Sequence, residues 1–169
     1  LVSELWGLNN TVFNGADINV QKVWEKYTVG NPEVIVAVVD TGIDLSHEDL
    51  AANCLDSGHI NTNDISRPIQ AAEHGTHVAG VVAAVNGNGI GVSGIAGGTG
   101  NNDGVRIMSC QIFENGYSTN LDASANGFVY AAQNGASIAQ CSFGLINGNY
   151  TSDAEYAGLY GAEYAGVQF

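Results

Sequence analysis

Apolar and polar positions in this chain alternate between two periods. VIVAVVD at residues 34–40 is a run of small and β-branched apolar residues closed by an acid, with Asn31-Pro32 before it and Gly42 just after. A short run that is apolar on both faces predicts a central strand of a parallel sheet. VRIMSCQIF (105–113) and ASIAQCSF (136–143) predict two more strands. Between them, LDASANGFVYAAQNG (121–135) predicts a helix stopped by Asn134-Gly135. HGTHVAGVVAAV (74–85) predicts a second helix, ended by NGNGIG, and NVQKVWEKY (19–27) a shorter amphipathic one. The polar stretch from Asn53 to Ala71, with one proline, predicts a surface loop. Near the end, Asp153 to Tyr164 suits a further helix with Ser152 as its cap. Strand and helix alternate, so the class is α/β, with a largely parallel sheet and right-handed crossovers.

Composition narrows this picture. At 169 residues and 45% hydrophobic content, the chain suits one folded domain. No apolar run approaches the roughly twenty residues of a membrane-spanning helix. Leu1 opens the sequence and Met108 is its only methionine, so the expected form is a processed chain or an excised piece, with any signal peptide already removed. Seventeen acids face four basic residues, for a net charge of −13. That field repels polyanions and excludes nucleic acid as a partner. The acids are dispersed, which suits a solvated, cation-attracting surface better than an acidic tail. Three cysteines, Cys54, Cys110 and Cys141, cannot all pair within the chain, and no CxxC spacing suggests structural zinc. Cys110 and Cys141 sit in apolar runs and read as buried thiols.

Two of the four histidines, His74 and His77, stand three positions apart in EHGTHVAG. A metal pair on a helix wants a spacing of four or a further ligand nearby, and Glu73 precedes both histidines instead of lying between them. Acid–base chemistry suits them better. A strand such as VIVAVVD delivers Asp40 to the carboxyl edge of a parallel sheet, where α/β folds build their sites, and His74 opens a helix facing the same edge. A carboxylate there accepts the imidazole Nδ1 proton and leaves the other nitrogen free to take a proton from a hydroxyl. GIGVSG (89–94) satisfies the dinucleotide spacing G-x-G-x-x-G but follows a helix and leads into more loop, so it is not read as a nucleotide site.

VVDTGIDLSHEDL around Asp40 and HGTHVAG around His74 resemble the aspartate and histidine blocks of the subtilisin-like serine peptidases. WGLNN, GIGVSGIAG and QCSFG (140–144) extend the similarity over most of the chain, and Asp before His matches the family order. The resemblance implies a three-layer α/β/α fold with a mostly parallel sheet, of which residues 1–169 form the N-terminal part of one catalytic domain, the early strands and helices only. It makes Asp40 and His74 two members of a Ser-His-Asp triad, with His77 a structural neighbour on the helix. The family's G-T-S-M-A-type nucleophile turn and A-G-N oxyanion block do not occur, so the expected function is a share of a serine endopeptidase, inactive alone. The competing reading is a non-catalytic module binding peptides or a partner protein.

By the same resemblance, Ser142, Phe143 and Gly144 line one wall of the substrate cleft, and the loop FENGYSTN (113–120), with Gly116, the other. A structural calcium is expected at Asp49 and the loop NGNGIGV, through the Asn88 side chain and the carbonyls of Val85, Ile90 and Val92. No organic cofactor is expected. The expected partners are a peptide or protein substrate, the remaining half of the domain and, through an exposed sheet edge, further copies. The expected location is secreted, cell-surface or periplasmic, in a bacterium.

Overall fold

A computed structural model of the protein describes residues 4–13, 15–114 and 122–143. The long apolar run forms β1 (Ile35–Asp40), in which every residue after Ile35 is buried. β2 is Ile60–Asn61, β3 is Arg106–Gln111 and β4 is Ile138–Gln140. They form one four-stranded sheet in the order β2-β3-β1-β4. β1 runs parallel to β4, with Val36 opposite Ile138, and β2 runs parallel to β3, with Ile60 opposite Cys110. The helices are α1 (Val20–Lys26), α2 (Glu73–Ala83) and α3 (Ala123–Gln133).

The chain divides into two compact units. The second comprises Ile35–Asp44, Leu55–Val78 and Ile107–Phe169. Its core brings Ala37 and Val39 of β1 together with Met108 and Cys110 of β3, Ala139 of β4, and Phe128 and Ala131 of α3. α3 approaches closely because Gly127 faces the sheet: a Cβ there would stand 3.0 Å from Ile112 and 3.4 Å from Val39. The first unit comprises Leu1–Val34, Leu45–Cys54 and Ala79–Arg106. It buries Leu8, Val20, Leu50, Ala83 and Val105, yet leaves Trp6, Phe13 and Tyr27 at least 69% exposed. Its loops are cross-tied by Asn53, whose buried amide donates to the carbonyls of Ala83 and Gly97.

The sequence expectations hold for β1, β3 and all three helices, the short α1 included, and miss the briefest elements. β2 and a 3₁₀ turn, Ala51–Asn53, lie at positions read as plain loop or its border. Two residues are too few to carry an alternation, and β2 exists through its pairing with β3. The run 136–143 narrows to Ile138–Gln140, which leaves Cys141 partly exposed instead of buried. The helix expected around Asp153 to Tyr164 lies outside the described residues.

Cys110 is fully buried, and burial, with a smaller contribution from neighbouring Cys141, pushes its thiol up from 9.0 to about 12. The folded state therefore holds this proton after the unfolded chain has released it. The contribution to stability is undiminished below pH 9 and falls as pH rises from 9 toward 12. Native alkylation at pH 8.5 is expected to spare Cys110 and to modify it only after denaturation. Labelling of Cys110 in the native protein at the rate of a free thiol would contradict this burial.

Candidate active site

β1 ends on Asp40, which is 1% exposed. Its Oδ1 accepts from the Thr41 amide at 2.6 Å and lies 2.7 Å from Nδ1 of His74. A carboxylate can only accept, so Nδ1 carries the proton and Nε2 of the neutral ring keeps its lone pair. Oδ2 of Asp40 is buried without a hydrogen-bond partner among the described residues. The His74 side chain is 56% exposed. A buried anion thus fixes the tautomer of a solvent-accessible imidazole, an arrangement able to abstract a proton from a hydroxyl and return it.

The local sequence makes this meeting possible. After Asp40 the chain turns through Gly42 at φ +98°, where a side chain would be strained and would overlap the Gln70 carbonyl. Gly75 follows His74, and a Cβ on it would overlap the Gly42 carbonyl oxygen. The two backbones therefore touch, bringing the first turn of α2 against the end of β1. Thr41 ties the same junction, its hydroxyl accepting from the Gly75 amide at 3.0 Å. Thr76 accepts from the Asp44 amide at 2.9 Å and donates to the Ala72 carbonyl at 2.7 Å. Each residue of His-Gly-Thr therefore has a separate task. Sequence reasoning singled out the histidine alone; the small polar residue after Asp40 and the threonine after Gly75 were the available signals for the rest.

Other expected site residues fare unevenly. His77 lies one turn after His74 on α2, exposed and with no hydrogen bond among the described residues. Ser142 is exposed and accepts from the Gln140 side chain at 2.9 Å. The Phe143 ring packs edge-on against Phe113, with centroids 5.2 Å apart at 83°. Gly116 and Gly144 lie outside the described residues, as does most of the 113–120 loop.

In the first unit the expected calcium residues gather around Asp49, which is 1% exposed. Asn88 donates to its Oδ1 at 2.7 Å, the Val92 amide to its Oδ2 at 2.8 Å, and the Val85 amide to its main-chain carbonyl at 2.9 Å. The Ile90 amide donates to the Asn88 side-chain oxygen at 3.0 Å. As arranged, the carboxylate faces N–H donors that already pin the loop. The oxygens on offer are hard donors and fit calcium in kind, but they reach its usual six only if Asp49 binds through both oxygens. Among the described residues, no three histidine, cysteine or acidic side chains gather as metal ligands.

Comparison with known proteins shows the family of the chain. The model of the subtilase family (Peptidase S8) matches residues 31–169, and the chain belongs to that family of serine peptidases. It is 32% identical over 148 residues to the thermophilic serine proteinase of Bacillus sp. (strain AK1), covering 85% of this chain and 35% of that protein. A calcium-dependent protease of Nostoc sp. is 33% identical over 164 residues, 90% of this chain and 22% of its own length. The crystal structure of fervidolysin from Fervidobacterium pennivorans, a keratinolytic enzyme related to subtilisin, superposes with a TM-score of 0.67 at 29% identity, over 96% of this chain and 23% of that one. The fold is therefore the subtilisin-like α/β fold, and the chain spans 35% or less of these relatives' lengths.

Gly75→Ala tests the backbone contact on which the pair depends. The added methyl group is expected to lower stability by about 1–3 kcal/mol in urea unfolding, because the helix start must shift. An unchanged midpoint would mean that Gly42 and Gly75 are not in contact.

Proposed function

We propose that this chain supplies two members of the catalytic triad of a serine endopeptidase, Asp40 and His74. The 2.7 Å hydrogen bond between His74 Nδ1 and a buried carboxylate carries the reading. In this reading Nε2 of His74 takes the proton of a serine hydroxyl as its oxygen attacks the scissile carbonyl carbon. Asp40 stabilises the imidazolium, which then gives the proton to the leaving amine. Water hydrolyses the acyl-enzyme by the same route. The sequence contains no G-T-S-M-A-type turn and no A-G-N block, so nucleophile and oxyanion donor come from outside these 169 residues. Residues 1–169 are then the N-terminal part of one catalytic domain. Alone they are inactive, since loss of the serine costs subtilisin about a millionfold in turnover.

The substrate is a peptide or protein in extended form. β4 is an edge of the described sheet, and an edge strand offers unpaired main-chain groups to an added strand. In this reading Ser142 and Phe143 continue that edge, while Gly144 and Gly116, the other residues expected at the cleft, lie outside the described residues. The exposed Trp6, Phe13 and Tyr27 support association with a covering polypeptide, the rest of the domain or another copy. A location outside the cytoplasm accords with the family resemblance. Among the described residues no helix is long and apolar enough to cross a membrane.

In protein assembled with a segment bearing the nucleophile, His74→Ala is expected to lower kcat by at least about 10⁴-fold, whereas His77→Ala, on the surface, changes it less than about tenfold. A fluorophosphonate should label the added segment and leave residues 1–169 unmodified. Equal catalytic losses at the two histidines with folding intact, or labelling of the 169-residue chain alone, would refute the assignment.

Calcium is proposed as a structural ion at Asp49, with the Asn88 side-chain oxygen and the carbonyls of Val85, Ile90 and Val92. The oxygen-only donor set and the calcium-dependent Nostoc relative support it. When bound, the ion neutralises the buried carboxylate and cross-links the loop after α2. Millimolar calcium is then expected to raise Tm, and Asp49→Asn to abolish the response. A Tm unchanged from chelator to millimolar calcium would exclude the site.

A further inference from the structure

Gln111, the last residue of β3, is 1% exposed and takes no part in the chemistry above. The other described side chains buried in that strand are apolar or small: Ile107, Met108, Ser109 and Cys110. An aliphatic side chain would fill the same space without the desolvation cost of a primary amide, so the carboxamide calls for a reason. Both of its ends are used. Oε1 accepts from the Gln70 amide at 2.8 Å, and Nε2 donates to the Phe113 carbonyl at 3.0 Å. Gln70 lies four residues before His74, in the segment leading into α2. The carboxamide also abuts the turn after Asp40: a Cβ on Gly42 would stand 3.0 Å from Oε1. On its main chain, the next residue, Ile112, donates to the Asp40 carbonyl at 2.8 Å.

One buried amide group therefore touches the turn that leaves Asp40, the approach to His74 and the exit of β3 toward Phe113. The two halves of the acid–base pair come from segments 34 residues apart, and Thr41 ties them only on the helix side. We infer that Gln111 is a positioning residue for the Asp40–His74 pair: it sets the height of the 70–72 segment above the β1 turn, and through it where the His74 ring meets Oδ1. Through Phe113, which packs on Phe143, the same side chain fixes the base of the proposed substrate wall. The inference rests on the acid–base reading of the pair and goes beyond it by naming what holds the pair in register.

The test reads the tautomer of His74 directly. Protein labelled with ¹⁵N-histidine is compared by long-range ¹H–¹⁵N correlation at a pH where the imidazoles are neutral, with His74→Gln assigning the signals. The wild type is expected to hold His74 in the Nδ1–H form, and Asp40→Asn to lose that form as the majority species. Gln111→Leu and the closer-shaped Gln111→Met are expected to lose it as well, while Phe128→Leu, which weakens the same core and takes no part in these hydrogen bonds, keeps it. If one Gln111 variant fails to fold, the other carries the comparison. Retention of the wild-type tautomer in a folded Gln111 variant, with Asp40→Asn still shifting it, would overturn the positioning role and leave the pair intact. A wild-type His74 that is not in the Nδ1–H form would overturn both.

Discussion

The site depends on one contact that involves no side chain. Gly42 and Gly75 let the turn after β1 and the first turn of α2 meet backbone to backbone. Closer approach than a methyl group permits is what brings a residue at a strand's end and a residue at a helix's start within one hydrogen bond of each other. Every polar tie at the junction presupposes it. The Thr41 hydroxyl reaches the Gly75 amide, and Thr76 reaches Asp44, only because nothing bulkier keeps the two segments apart. The hydrogen bonds then make the approach specific: a glycine pair alone would let the helix slide, whereas directional donors and acceptors select one register.

The two buried carboxylates solve the cost of burial differently. Asp49 accepts one N–H at each oxygen from donors of its own unit, and these contacts shape a loop. Asp40 concentrates two donors on one oxygen and leaves the other bare of partners among the described residues. A buried acceptor left in that condition is costly in a purely structural setting. The two carboxylates thus differ in geometry: one has a donor at each oxygen, the other both donors on the oxygen that faces the imidazole.

What could be read from the sequence follows from the length over which a signal accumulates. β1, β3, α2 and α3 each carry six or more residues of one period, and their positions were legible to within a few residues. Asp40 and His74 were legible because each closes or opens such an element. β2 was not, because two residues cannot show a period and its pairing partner lies about fifty positions downstream. Gln111 was hidden for the opposite reason: it sits inside an apolar run, where one polar residue reads as noise until its two partners are known. At Asp49 the residues were found but not the sense of their contacts, since sequence does not tell whether Asn88 offers its oxygen or its amide hydrogens.

The strand order has a consequence in time. β1 carries Asp40 in the middle of the sheet, and its neighbour β4 is about a hundred residues further on, Val36 pairing with Ile138. A ribosome adding roughly 5–20 residues each second needs about 5–20 s to cover that interval. During the wait one flank of an almost wholly apolar strand has no partner, although β3 can already dock on the other. Nascent chains of this protein thus pass through a stage in which the segment bearing the acid is itself an open edge, until residues 138–140 dock against it.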